Sequence, residues 1–300
     1  MNKICKVSVV VATYHREQTL INALKSIATQ SYQNIELIVV DDNADKGWNV
    51  KVANVIQQIR LSYPSLKINY ICNSINQGSA ATRNIGIQAS SGEYITFLDD
   101  DDEYLPEKIE KQLTDMIERE ADYGLTDLEL YNSENRLIQK RTREYIKQTD
   151  KRSLIKYHLM YHMTGTDTLM FKTCYLKRIG MFPLIDVGDE FYLMERAITA
   201  GGKLCYSAHC YVKAYIHQGN EEGLSSGVGK IKGENALYEL KKKYFNQLNL
   251  KERNYIRMRH HAVLAFAYSR KKDYLNTALH GVEAVVINPV ESLKLIRERR

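Results

Sequence analysis

The first 130 residues alternate between short β-branched runs and longer stretches with an apolar residue every three or four positions. Residues 7–11 (Val-Ser-Val-Val-Val) have the composition of a buried central strand. Residues 17–30 place Leu20, Ile21, Leu24 and Ile27 at helical spacing, and residues 35–40 predict a second buried strand. Val52, Val55, Ile56 and Ile59 mark a second helix, and residues 66–71 a third strand. Residues 78–90 read as a loop entering a helix that stops at Ser91-Gly92, and residues 94–98 as a fourth strand. Pro106 suits the first turn of a helix reaching residue 120. Strands alternating with helices imply an α/β fold, with a mostly parallel central sheet flanked by helices.

From residue 123 to about 219 the pattern is mixed. Strands are predicted over 123–131, 168–171, 203–207 and 211–215, with helices over 153–163 and 189–200. Residues 221–229, rich in Gly and Ser, read as a hinge or loop. Four helices follow, over 230–245, 251–270, 274–287 and 289–299. The chain thereby divides at residues 225/226 into an α/β body and a helical C-terminal extension.

Composition sharpens this division. Three hundred residues with 44% hydrophobic content can bury a sizeable core. The net charge is +6, but residues 226–300 hold 16 Lys and Arg against 7 Asp and Glu, so the body is mildly acidic and the extension basic. No binding motif accompanies that charge, which argues against nucleic acid. No apolar run approaches the roughly 20 residues that span a bilayer, and residues 1–6 lead into the first strand without a signal-peptide pattern. The five cysteines show neither CxxC spacing nor disulfide-like regularity, so reduced thiols and a cytoplasmic location are expected.

The chemistry concentrates at the carboxyl ends of the predicted strands, where open α/β sheets bind ligands. Asp99-Asp100-Asp101-Asp102 follows an apolar strand directly. Four adjacent carboxylates repel one another unless a cation or basic groups offset them. Hard ions such as Mg²⁺ or Mn²⁺ take oxygen ligands and bridge carboxylates to phosphates. A solvated acidic loop is the plain alternative.

Three further segments occupy equivalent places. Val7-Ser8-Val9-Val10-Val11-Ala12-Thr13-Tyr14-His15-Arg16, Ile38-Val39-Val40-Asp41-Asp42-Asn43 and Asn76-Gln77-Gly78-Ser79-Ala80-Ala81-Thr82-Arg83-Asn84-Ile85-Gly86 precede the acid run in order. Together with Gly92 to Asp102 they resemble the family-2 glycosyltransferases over roughly residues 5 to 110. The resemblance implies the nucleotide-diphospho-sugar transferase fold called GT-A, with residues 1–110 as the nucleotide-binding half and 111–225 as the acceptor side. It also implies a metal-dependent, inverting transfer of a sugar from a nucleotide-sugar, UDP-linked, to a glycan or lipid-linked acceptor in surface polysaccharide synthesis.

Within that expectation the turn Ala12-Thr13-Tyr14 can cover a uracil, and Asp41 can accept a hydrogen bond from a base N–H, unless it only caps a turn. Arg83 can pair with phosphate or with the acid run. The resemblance places the metal-binding acids at Asp99 and Asp101, with Asp101 in direct contact, Asp100 toward the ribose and donor sugar, and Asp102 as an additional or supporting ligand. A Mn²⁺ or Mg²⁺ ion would stabilise the departing nucleoside diphosphate. His217 matches a position where some members place a histidine near the metal, and Thr164-Gly165-Thr166 lies where a sugar is expected. Gly188-Asp189-Glu190-Phe191-Tyr192-Leu193-Met194-Glu195-Arg196 resembles the family's acidic-pair segment, with the order Asp-Glu where Glu-Asp is usual. Glu190 is the expected base and Asp189 the next candidate; two acids favoured by a helix dipole are the plain alternative.

A sugar-nucleotide pyrophosphorylase would share the fold but should open with a Gly-rich loop, and residues 11–16 contain no glycine. A non-catalytic nucleotide-sugar-binding module is the other alternative. In the extension, Val282, Val285, Val286, Val290, Leu293 and Ile296 form apolar faces beside Lys294, Arg297, Arg299 and Arg300. Peripheral contact with the inner face of an anionic membrane is expected there, against a packed helical appendage as the alternative.

Overall fold

A computed structural model describes residues 4–185, 187–216 and 227–298. In chain order the elements begin β1 (Val7–Thr13), α1 (Gln18–Ala28), β2 (Ile35–Asp41), α2 (Lys46–Ser62), β3 (Lys67–Cys72), α3 (Ser79–Ala89) and β4 (Tyr94–Phe97). They continue with β5 (Glu103–Tyr104), α4 (Lys108–Glu118), β6 (Tyr123–Tyr131), β7 (Leu137–Arg141) and α5 (Lys151–Tyr161). A 3₁₀ turn (Thr166–Thr168) precedes β8 (Leu169–Lys172), α6 (Thr173–Arg178), α7 (Asp189–Thr199) and β9 (Leu204–Tyr215). The remaining helices are α8 (Gly227–Lys242), α9 (Leu250–Arg270), α10 (Tyr274–Ile287) and α11 (Pro289–Glu298).

One sheet carries the strands in the order β3-β2-β1-β4-β8-β6-β9-β5, with β7 on β6. The first four strands are parallel, as the βα alternation predicts. Beyond β4 the sheet is mixed, since β8 runs antiparallel to both β4 and β6 while β6 and β9 are parallel. Parallel neighbours need a crossover of a dozen or more residues, whereas antiparallel ones do not.

Val7, Val9 and Val11 point to one face of the sheet and pack in a single apolar cluster with Leu20, Leu24, Ile27, Ile56, Ile109 and Met116. Val10 points to the other face, where α3 comes so close that a Cβ on Gly86 would meet Val10 Cγ1 at 2.4 Å. This rigid sandwich fixes the strand ends on which the polar residues sit.

Three elements carry no usable sequence pattern. β5 is two residues long, α6 is six, and every residue of β7 is exposed, so none has a buried periodicity to read. The segments 203–207 and 211–215 join into β9, with an irregular register where Thr126 faces Ser207 and Asp127 faces Cys210.

The chain forms two compact units. One comprises Met1–Leu154, Met163–Leu184 and Asp189–Gln218; the other comprises Ile155–His162, Ile185–Gly188 and Gly219–Arg300. The helical unit therefore takes in two short segments from the middle of the chain, which a division by composition does not reveal.

Candidate active site

Because β2, β1 and β4 run parallel, Asp41, Thr13 and the acids after Phe97 leave the same edge of the sheet. Each acid of the run then finds its own partner. Asp99 accepts Arg83 Nη2 at 2.7 Å through its side chain, while its backbone N–H donates to Asp167 Oδ1 at 2.6 Å. Asp100 Oδ2 accepts Thr13 Oγ1 at 2.8 Å and the Tyr14 N–H at 3.1 Å. Burial, and then the Asp101 charge, push the Asp100 carboxyl up to about 7 against those two donors. Asp101 accepts Arg16 Nη2 at 3.0 Å. Asp102 is buried and accepts the Tyr215 N–H at 2.8 Å.

Asp102 also lies beside the buried Asp167. Burial first, and then neighbouring carboxylate charge, raise both groups. Carboxylate oxygens of Asp99, Asp102 and Asp167 lie within 4.8 Å of one another. An all-oxygen donor set this crowded, with Arg83 held against Asp99, fits a hard divalent cation. Asp99 and Asp101 keep partly exposed carboxylates, with side chains 36% and 21% accessible.

Arg83 ties the run to the acidic pair. It is almost buried, and Nη1 donates to Asp189 Oδ2 at 3.2 Å while Nη2 holds Asp99. Burial opposes its charge, but Asp99, Asp189 and Glu190 outweigh that and raise its pKa further. Its guanidinium carbon lies 5.4 Å from the centre of the Phe182 ring. Asp189 and Glu190 open α7, where the helix dipole favours acids. Burial, partly offset by Arg83, moves Asp189 up to about 6. Glu190 accepts the Gly165 N–H at 2.8 Å and the Thr166 hydroxyl. Thr166 begins the turn that carries Asp167, so the contacts close a ring: Asp99, Arg83, Asp189-Glu190, Thr166, Asp167 and back to Asp99.

That ring depends on an unusual turn. Gly165 has φ +123°, a region L side chains rarely adopt, and a Cβ there would meet Arg143 Nη2 at 3.1 Å. Arg143 is itself buried, donates to the Thr126 and Thr164 carbonyls and lies 3.8 Å from Asp127.

Asp41 has no exposed surface. Its oxygens accept Tyr70 Oη at 2.7 Å, the Asn43 N–H at 2.9 Å and Asn43 Nδ2 at 2.7 Å. It reaches the rim only indirectly, since Asn43 Oδ1 accepts the His15 N–H at 2.7 Å. Asp42 instead anchors the third segment, accepting the N–H groups of Gln77 and Gly78, each at 2.9 Å. Beside this rim Tyr14, His15 and Trp48 stack in series, with centroids 4.0 Å and then 4.9 Å apart. Ala12 is half-buried at the end of β1. His217 and most of the Gly/Ser-rich loop lie outside the described residues.

The structure thus brings Thr13, Tyr14, Arg83, Asp99 to Asp102, Asp189 and Glu190 into one linked site, and sets Asp41 behind it. The site also uses Arg16, Asp167 and Arg143, which no sequence pattern assigns to it. Arg16 is the first cation after β1. Asp167 and Arg143 carry no local signal, because each matters only through contacts distant in the chain.

Residues 8–177 match the model of glycosyl transferase family 2. The chain belongs to that family. A putative colanic acid biosynthesis glycosyl transferase, WcaA of Escherichia coli K12, is 40% identical over 103 residues, 34% of this chain and 35% of that protein. The E. coli UDP-Glc:alpha-D-GlcNAc-diphosphoundecaprenol beta-1,3-glucosyltransferase WfgD is 29% identical over 127 residues, 42% of this chain and 47% of that one. The matches thus span between a third and a half of these relatives' length. Among solved structures, S. aureus TarS 1–349 in complex with UDP-GlcNAc has a TM-score of 0.62 at 19% identity, covering 94% of this chain and 91% of that one. The mannosyltransferase PcManGT from Pyrobaculum calidifontis, with GDP-Man and Mn²⁺, scores 0.63 at 15% identity, covering 98% and 79%. The fold is GT-A.

Proposed function

We propose that the chain is an inverting, metal-dependent glycosyltransferase. It moves a sugar from a UDP-sugar to a hydroxyl of a lipid-linked saccharide during surface polysaccharide assembly. The observation that carries this reading is the ring joining the acid run to Asp189-Glu190, because it sets a cation-binding edge and a candidate base on one frame. The names of WcaA and WfgD support the pathway and the lipid-linked acceptor, and WfgD and TarS support UDP. Residues 1–225 form the catalytic body in this proposal, and 226–300 its helical extension.

Thr13 and Tyr14 hold Asp100 in place for the ribose side of the donor, with the exposed Tyr14 ring offered to the base. Asp41 sets the shape of the second loop through Tyr70 and Asn43. Asp99 and Asp101 would hold Mn²⁺ or Mg²⁺, since a cation that meets a diphosphate needs ligands open to solvent. Asp102 and Asp167 brace them from behind. When bound, the ion supplies Lewis-acid stabilisation of the leaving diphosphate. Glu190 takes the proton from the acceptor hydroxyl. Its direct hydrogen-bond partners are neutral donors, which orient the carboxylate, whereas Asp189 is bonded directly to Arg83.

The helical unit supplies the membrane contact. Leu275, Leu279, Val282 and Val286 are all exposed, at spacings that put them on one face of α10. Lys271 and Lys272 are exposed just before that helix, as an anionic surface would require.

A thermal-shift panel of UDP- and GDP-sugars with and without Mn²⁺ tests the reading. UDP-sugars should stabilise the protein, more strongly with Mn²⁺, and Asp101→Asn should abolish the Mn²⁺ increment while Asp167→Asn retains it. A Mn²⁺ increment lost in Asp167→Asn but kept in Asp101→Asn would move the ion to the buried acids. No response to any UDP-sugar would overturn the donor assignment.

A further inference from the structure

A second cluster of ligand-type side chains lies wholly within the helical unit, between α9 and α10. His261 Nδ1 is 2.8 Å from Glu283 Oε2 and 3.0 Å from His280 Nδ1, and His280 Nδ1 is 3.0 Å from the same Glu283 oxygen. Three potential ligand atoms therefore form a nearly equilateral triangle. An imidazole nitrogen either donates or accepts, never both. With Glu283 ionised, no placement of protons makes good hydrogen bonds along all three edges. If one nitrogen carries a proton, the other faces the carboxylate lone pair to lone pair. If both do, the two N–H groups face each other. The triangle is electrostatically frustrated as a hydrogen-bond network, and a cation at its centre relieves all three edges at once.

We propose that His261, His280 and Glu283 form a binding site for a zinc-class divalent cation, which clips α10 to α9. Two imidazoles and one carboxylate are the donor set such ions prefer, with a fourth position left to water. Zinc–nitrogen bonds of about 2.0–2.1 Å in a tetrahedral arrangement put ligand atoms about 3.3 Å apart. The observed edges need to open by only a few tenths of an ångström. The spacing follows from the helix, since His280 and Glu283 lie three residues apart on one face of α10. The rings are already oriented: Tyr268 stacks on His280 at 5.5 Å and 11°, and His260 meets His261 edge-on at 5.2 Å. With side chains 18–43% accessible, the ligands leave an ion a path from solvent.

The test is calorimetric titration of ZnCl₂ into the chelator-treated protein, with CoCl₂ as an optical reporter. An Asp99→Asn/Asp101→Asn background keeps the acid run from competing. One equivalent of Zn²⁺ should bind with Kd below about 10 μM, and Co²⁺ should give the visible absorption of a tetrahedral site. His261→Ala should weaken Zn²⁺ by at least tenfold, as loss of a ligand does, and remove the Co²⁺ band. Should His261→Ala fail to fold, Glu283→Gln at the most exposed ligand serves instead and should also weaken Zn²⁺ by at least tenfold. Zn²⁺ binding unchanged in a folded His261→Ala or Glu283→Gln protein, or no binding at 100 μM in the background protein, would overturn the proposal.

Discussion

The two units solve the same electrostatic problem in opposite ways. In the α/β unit, four adjacent carboxylates take separate hydrogen-bond partners, Asp99 from Arg83, Asp100 from Thr13 and Tyr14, Asp101 from Arg16 and Asp102 from Tyr215, although Asp99 and Asp102 meet again beside Asp167. In the helical unit, His261, His280 and Glu283 converge on one point and contact one another along all three edges. Neighbours in sequence diverge because a turn after a strand sends successive side chains to different sides. Residues on facing helices converge because helical spacing repeats one face. Density of ligand-type residues in a sequence is therefore a poor guide to density in space.

The largest expected effect tests whether the dispersed site is a working one. Glu190→Gln should lower sugar transfer roughly 1000-fold, within the range general-base loss produces, while UDP affinity stays within about threefold. Retained turnover would take Glu190 out of the base role and leave it as the anchor of the Gly165-Thr166 turn.

Next is the proton balance of the dispersed acids. The folded pKa of Asp189, about 6, lies above the unfolded value of about 3.9, so the folded state binds its proton more tightly. Its contribution is present in full below pH 4 and is lost as pH rises through about 6. Urea unfolding at pH 4 and pH 7 should show Asp189→Asn losing less stability over that interval than the parent, by up to about 3 kcal/mol. Equal losses would mean that Arg83 already holds Asp189 ionised at pH 4.

A smaller effect probes the frame. Gly165→Ala places a side chain at φ +123° and against Arg143, and should cost about 2 kcal/mol in chemical denaturation. It should also impair transfer, because Glu190 is held by that turn. Leu275→Glu/Val286→Glu, on the exposed face of α10, should weaken binding to anionic vesicles by roughly tenfold and leave UDP binding unchanged. Undiminished vesicle binding would make that face a purely structural one.

The start of the parallel half was legible because β1 and β2 are short β-branched runs and α1 and α2 keep an apolar stripe; Val7 to Val11 and Leu20, Leu24 and Ile27 announce their partners. β5, β7 and α6 were not, being too short or too exposed to carry a period. At the site, the acid run, Arg83 and the Asp189-Glu190 pair stand out as unusual local strings, whereas Asp167, Arg143 and Tyr70 are ordinary residues in ordinary surroundings until the chain folds. The joining of 203–207 and 211–215 into β9 likewise rests on pairing with β6, a neighbour more than seventy residues away.

Local composition and periodicity were enough to say that a βα body would gather carboxylates at its strand ends, because burial on a sheet face and exposure at its edge are both written into a few consecutive residues. Which acid meets which cation, that Asp41 is sealed behind Tyr70, and that two histidines and a glutamate on different helices share one point all depend on through-space distances of about 3 Å. Such distances are set by how packed elements cross, and no stretch of sequence shorter than the whole domain encodes them.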